Sequence, residues 1–174
     1  MIDVDVRELI AHPGSSRHHR LRQPVAGLRV ELAAVPHDAP VEGDLLLESV
    51  VEGILVSGPL TGPLMLSCAR CLKEFAGRVD VDVQELFSPN PERPVEEYVM
   101  TPEGSLDLEP MVRDSLMLAL PFSPLCRADC LGLCERCGGD RNLEECSCAE
   151  EPVDARWAAL ESLFADAPEG GDRA

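Results

Sequence analysis

Eight cysteines constrain this chain more than any other feature. Cys126, Cys130, Cys134, Cys137, Cys146 and Cys148 fall in one short stretch, and Cys68 and Cys71 form a separate C-x-x-C upstream. Thiols two residues apart on a tight turn are how a chain presents two sulfurs to one tetrahedral metal ion. In Cys134-Glu-Arg-Cys137-Gly138-Gly139, glycine after the second sulfur permits the positive φ that a knuckle needs. All eight cysteines are therefore candidate metal ligands.

The histidines, His12, His18, His19 and His37, lie far from the C-terminal cluster. All-sulfur ligation favours zinc, and four thiolates leave no open position for water, so such sites are structural rather than catalytic. An iron–sulfur cluster also accepts four cysteines, but the knuckle glycines fit zinc ribbons better. One or two zinc ions are expected. The most local grouping joins Cys134, Cys137, Cys146 and Cys148, and leaves Cys126 and Cys130 to join Cys68 and Cys71. A rival partition joins the two C-x-x-C pairs as a split ribbon, and spacing does not separate the two.

The opening MIDVDVRELI carries acids among its apolar positions, unlike a signal peptide, and no run approaches a membrane span. A cytoplasmic location without membrane contact is expected, where thiols stay reduced and a disulfide framework is disfavoured. The net charge is −17, from 32 acids against 15 bases. Such a surface repels nucleic-acid phosphates unless a local basic patch overcomes the field. It suits a basic protein partner, and it also serves solubility. The one basic cluster is Arg17, Arg20 and Arg22, within an expected polar loop over His12–Gln23. It is either a solvated loop or a weak anion or RNA contact.

The length suits one domain, and with only 3% aromatic residues its core must be aliphatic. Ile2, Val4 and Val6 alternate as a strand that runs into a helical turn at Arg7–Ile10. Further strands are expected at Leu28–Val35, ended by Pro36, and at Asp44–Val51, Glu52–Ser57 and Leu60–Cys68, punctuated by Gly53, Gly58 and Gly62. Phe75–Leu86 follows, with Val79, Val81 and Val83 alternating against polar residues. An antiparallel meander results, with Cys68 and Cys71 at a hairpin tip. A thioredoxin-type C-x-x-C opens a helix, and nothing helical is expected after Cys71. Ser88–Ser105 reads as a proline-rich excursion with a short strand at Glu97–Met100. Asp107 is the expected cap of a helix running to Leu120, with Pro110 in its first turn and Pro121 ending it. Asp154 is the expected cap of a last helix carrying Trp157, Leu160, Leu163 and Phe164.

The expected class is α+β: an antiparallel β-meander, a few short helices and a cysteine-rich zinc-knuckle segment. One domain spans 1–166, β-rich over 1–87 and carrying the helix and zinc-binding segment over 106–166, with a frayed tail at 167–174. No catalytic constellation stands out. Ser115 and Ser123 have no histidine in local reach, and the chain lacks a P-loop and a G-x-G-x-x-G. An enzyme with a small-molecule substrate is not expected.

Cys68-Ala-Arg-Cys71-Leu, Leu118-Ala-Leu-Pro121-Phe-Ser-Pro-Leu-Cys126, Cys130-Leu-Gly-Leu-Cys134-Glu-Arg-Cys137-Gly138, Cys146-Ser-Cys148 and Asp154-Ala-Arg156-Trp157 resemble the YceD family. Val6-Arg7-Glu8-Leu9 followed by Pro13-Gly14 is similar too, so the resemblance covers nearly the whole chain. The family's C-G-x-N-L-N is lengthened here to Cys137-Gly-Gly-Asp-Arg-Asn142-Leu143-Glu, and its D-P-R becomes Asp154-Ala155-Arg156. The resemblance implies a role in ribosome biogenesis, in the accumulation of large-subunit (23S) ribosomal RNA. With the acidic charge, it points to a basic ribosomal protein or a large-subunit assembly factor as partner, and to at most a weak RNA contact through Arg17, Arg20 and Arg22. The alternative is a redox-responsive zinc switch using the C-x-x-C and C-x-C thiolates.

Overall fold

Branched aliphatic residues at alternate positions build the central sheet. In chain order the elements are β1 (Asp3–Asp5), α1 (Arg7–Ala11), β2 (Ser16–Pro24), β3 (Ala33–Ala34), β4 (Pro40–Val50), β5 (Gly53–Ser67), β6 (Glu74–Ser88), β7 (Tyr98–Val99), β8 (Ser105–Asp107) and α2 (Glu109–Ala119). The computed structural model describes residues 1–89, 98–144 and 146–148. By its contacts the chain divides into two units, Met1–Gly132 and Leu133–Ala174; the expected single domain and its tail embrace both. The expected C-terminal helix with Trp157 lies outside the described residues. Among those residues no helix is long and apolar enough to cross a membrane.

The larger unit is mostly sheet. Its main sheet runs β2-β4-β5-β6-β7, with β3 also on β5; the β2, β4, β5 and β6 neighbours are antiparallel and β7 joins β6 in parallel. A second small sheet pairs β1 with β8. One face of the main sheet supplies Leu21, Val41, Leu45, Leu47, Val56, Leu60, Val79 and Val83 to the core, and Leu108, Met111, Val112, Leu116 and Leu120 from α2 and its ends join the same cluster. Fully burying such a side chain contributes roughly 1.5–3 kcal/mol, which is how an almost purely aliphatic core suffices. Phe87 stacks on Tyr98 with ring centroids 5.3 Å apart, and the Tyr98 hydroxyl donates to Asp114 of α2 at 3.0 Å.

Four expectations change. The polar stretch His12–Gln23 is not a loop: Ser16–Pro24 pairs residue by residue with β4, from Ser16 opposite Glu48 to Pro24 opposite Pro40. Only Leu21 of this strand is buried, so its apolar signal was too thin to read, and the partner's backbone supplies the order. Leu28–Val35 is not a continuous strand but a tight reversal, in which the Val30 N–H donates to the Ala33 carbonyl and the Val35 N–H to the Leu28 carbonyl. The runs Glu52–Ser57 and Leu60–Cys68 are one strand, β5. The cap of α2 is Leu108, one residue later than expected, although the Asp107 carboxylate still accepts the Glu109 and Ile2 N–H groups at 3.0 and 3.1 Å.

β5 survives its glycines and prolines because of where they fall. The β4 ladder pairs Gly43 with Leu60 and Leu46 with Ser57, skips the positions opposite Gly58 and Pro59, and ends at Thr61; β3 begins only at Met65. Pro59 and Pro63 therefore lie where β5 has no paired neighbour on that side, the place in a sheet that tolerates a missing N–H. Gly58 has φ +143°, and a Cβ there would collide with the Asp44 carbonyl oxygen. Gly58→Ala is expected to lower unfolding stability by about 2 kcal/mol or more, measured by urea denaturation. An unchanged midpoint would show that the two strands can separate there freely.

Candidate metal centres

The turn between β5 and β6 is a sulfur-presenting knuckle. The Leu72 N–H donates to the Cys68 carbonyl and the Cys68 N–H to the Lys73 carbonyl, both at 2.9 Å. This reversal aims the Cys68 and Cys71 side chains the same way. The segment after α2 supplies the other two ligand candidates. The Ala69 N–H donates to the Pro124 carbonyl at 2.8 Å, and Arg70 Nη1 reaches the Cys130 carbonyl at 2.8 Å. These bonds bring Cys126 and Cys130 to the knuckle across about sixty residues of sequence.

The sulfurs stand where one ion would require them. Cys68 and Cys130 Sγ are 3.8 Å apart, and Cys71 and Cys126 Sγ are 3.7 Å apart. Four sulfurs at about 2.3 Å from a tetrahedral centre are separated by about 3.8 Å. All four lie within 4.8 Å of one another. In a polynuclear iron–sulfur cluster the cysteines sit on different irons and spread wider than the ligands of one ion.

In the smaller unit, Cys134, Cys137, Cys146 and Cys148 form a second group within the same 4.8 Å limit. Its knuckle repeats the first bond for bond. The Gly138 N–H donates to the Cys134 carbonyl and the Cys134 N–H to the Gly139 carbonyl, both at 2.8 Å. Asp140 then turns the chain back toward Cys146. Its carboxylate accepts the Asn142 backbone N–H at 2.9 Å, and its carbonyl accepts those of Leu143 and Glu144. The grouping is therefore the local one, and the split ribbon joining the two C-x-x-C pairs is not formed. Both groups could hold a metal ion, and their all-thiolate donor sets are compatible with zinc.

The residue after each second cysteine must adopt positive φ. Gly138 does so at +71°, as its sequence predicts, but Leu72 does so at +60° and is the one described non-glycine residue with positive φ. Sequence reading passed over Leu72 because it looks for glycine at that place. It also passed over the Arg70 clamp, for which the sequence carries no signal.

Electrostatics favours one ready thiolate per group. The Cys68 thiol is held down to about 6, chiefly by the backbone N–H of Cys126 and then by those of Cys71 and Arg70. The backbone N–H groups of Cys137 and Arg136 lower Cys134 to about 6. Cys126, Cys148 and Cys71 are pushed the other way. Burial, then the sulfurs of Cys71, Cys68 and Cys130, raises Cys126 to about 12. The sulfurs of Cys137 and Cys134, then burial, raise Cys148 to about 12. At Cys71 the Lys73 N–H pulls the thiol down, but burial and the Cys68 and Cys130 sulfurs outweigh it and the net shift is upward. A divalent cation removes the mutual repulsion that keeps these protons on.

The basic cluster does not assemble as one patch. Strand alternation puts Arg20 and Arg22 on one face of β2 and Arg17 on the other. Arg22 pairs with Glu42 at 3.2 Å, His18 with Asp44 at 3.2 Å, and Arg17 donates to the Asp5 carbonyl.

Two outcomes are expected. Leu72→Gly removes a left-handed penalty of about 1–2 kcal/mol against a glycine entropy cost of about 0.5–1 kcal/mol. The side chain is 61% exposed, so little packing is lost, and thermal unfolding of the metal-loaded protein should move slightly upward. A clear fall would show that the Leu72 side chain packs on something. Loading both groups with a divalent ion at pH 7 should release at least three protons, from Cys71, Cys126 and Cys148. Affinity should therefore fall as pH is lowered. Calorimetry in two buffers of different protonation enthalpy counts those protons, and identical heats would contradict the assignment.

Comparison with known proteins follows the same residues. The uncharacterized protein Rv2926c of Mycobacterium tuberculosis is 40% identical over 168 residues, covering 92% of this chain and 80% of that protein. The uncharacterized protein ML1660 of Mycobacterium leprae is 35% identical over 155 residues, covering 83% and 69%. The large ribosomal RNA subunit accumulation protein YCED homolog 1, chloroplastic, of Arabidopsis thaliana is 29% identical over 58 residues, 33% of this chain and 18% of that protein. No solved structure matches the chain. The family model described as large ribosomal RNA subunit accumulation protein YceD matches residues 56–164, a span holding all eight cysteines and more than half of the sequence, and the chain belongs to the YceD family.

Proposed function

We propose that this chain is a non-enzymatic, zinc-bound factor for accumulation of large-subunit ribosomal RNA, working through protein contacts. The family match over residues 56–164 carries the functional half of this reading. The metal half rests on two groups of four cysteines, with sulfur separations of 3.7 and 3.8 Å measured in the first. Zinc suits four thiolates, needs no redox partner, and leaves no position open for substrate or water, so its role is to hold the fold. Each ion with its four thiolates is net negative, which adds to the acidity of a chain already at −17.

The charge distribution supports contact with protein rather than bare RNA. Arg22 and His18 are already paired with acids of the neighbouring strand, and Arg17 is turned to the other face. The chain is acidic overall, at −17, which is complementary to a basic ribosomal protein or to an assembly factor with a basic face.

Depleting the protein in its source organism should lower large-subunit relative to small-subunit ribosomal RNA; an unchanged ratio would overturn the role. Elemental analysis of reduced, purified protein should give two zinc ions per chain. Tight binding to naked large-subunit RNA with a steep salt slope would replace the protein-contact route with direct RNA binding.

A further inference from the structure

The two cysteine groups share ligand type, knuckle hydrogen bonds and the positive-φ turn, yet they differ in access. In the first, Cys68, Cys71 and Cys130 are buried and Cys126 is half-buried. Cys68 and Cys130 expose 0% and 1% of their surface. In the second, Cys137 and Cys146 are exposed, and Cys134 and Cys148 are half-buried. The sequence treats all eight thiols alike; burial separates them.

Access decides the reactivity of a zinc-bound thiolate, because an oxidant or a competing ligand must reach the sulfur. Coordination keeps all four sulfurs in thiolate form, so protonation does not protect the outer group. The inner group is also held by bonds that do not pass through metal. The Ala69 N–H to Pro124 carbonyl bond and the Arg70 to Cys130 carbonyl bond fix its two halves together. The outer group carries hydrogen bonds within its Cys134–Gly139 knuckle and its Asp140–Glu144 turn.

We infer that the Cys134, Cys137, Cys146 and Cys148 group is an oxidation-sensitive metal site, at which a hydroperoxide reaching Cys137 or Cys146 expels the ion, while the Cys68, Cys71, Cys126 and Cys130 group keeps its own. The inference rests on the zinc reading above. The exposed thiolate attacks the peroxide oxygen, forming a sulfenic acid and releasing hydroxide (or alkoxide). A second thiolate of the same four, within 4.8 Å, attacks that sulfur, forms a disulfide and expels a second hydroxide. The two sulfurs give up two electrons, the peroxide takes them, and solvent protonates the oxygen products. The ion, left with two thiolates, dissociates. Reduction of the disulfide by a thiol, with zinc present, restores the site.

The test uses the full chain, reduced and loaded with zinc. Zinc release is followed with a chromophoric chelator after addition of hydrogen peroxide, and cysteine oxidation is mapped by alkylation and mass spectrometry. One equivalent should leave in a first phase at least about tenfold faster than the second, with disulfide confined to Cys134, Cys137, Cys146 and Cys148. Replacing both exposed ligands, Cys137→Ser with Cys146→Ser, should remove the fast equivalent and leave the slow one. Retention of the slow equivalent also reports that the larger unit is folded. A chain that takes up no zinc fails the metal reading itself. A chain that takes up two and loses them in one phase, or is oxidised first at Cys68, Cys71, Cys126 or Cys130, overturns this proposal alone. A single equivalent bound only by the outer four cysteines overturns it as well.

Discussion

Four sulfurs within a few ångströms of one another are unfavourable as four charges, and a tight-turn polypeptide gains nothing by crowding them without an ion. At Cys68, Cys71, Cys126 and Cys130 the chain accepts that crowding inside its larger unit. The arrangement ties the turn of the β5–β6 hairpin to the segment leaving α2. Backbone N–H groups favour one thiolate at Cys68, whereas the raised Cys71 and Cys126 show the opposing cost of adding more charge. A divalent cation would reconcile these demands, and the four sulfurs could hold one.

The rest of the larger unit supplies a stiff frame for that junction. A long antiparallel hairpin carries the Cys68–Cys71 turn, and an aliphatic core shared with α2 fixes the point from which residues after Leu120 depart. Gly58, Pro59 and Pro63 of β5 fall where the β4 ladder is interrupted or has ended. The hairpin therefore bends to its neighbours without losing the β6 register that delivers Cys68 to its partners.

The second knuckle repeats the same local solution in the smaller unit. Cys134–Gly139 reproduces the hydrogen bonds of Cys68–Lys73, with glycine where the first has Leu72. One turn is anchored by the buried Cys68 and Cys71 and can hold a strained leucine. The other has little around it to oppose strain and uses the residue that has none.

Much of this was legible in the chain itself. The C-x-x-C spacings identify the ligand candidates, the period of two in Val79, Val81 and Val83 identifies β6, and the three- and four-residue spacing of Leu108, Met111, Val112 and Leu116 identifies α2. These signals are local, because each depends on a repeat or turn only a few residues long. The partition of eight cysteines was not legible, since Cys68 meets Cys130 through a hairpin and a helix that must both be built first. Nor was β2, whose polar residues are ordered by the backbone of β4 rather than by burial of their own side chains. Sequence determined which atoms could bind a metal; tertiary structure decided which four stand together and which of them solvent can reach, because burial and proximity belong to the packed chain and not to any stretch of it.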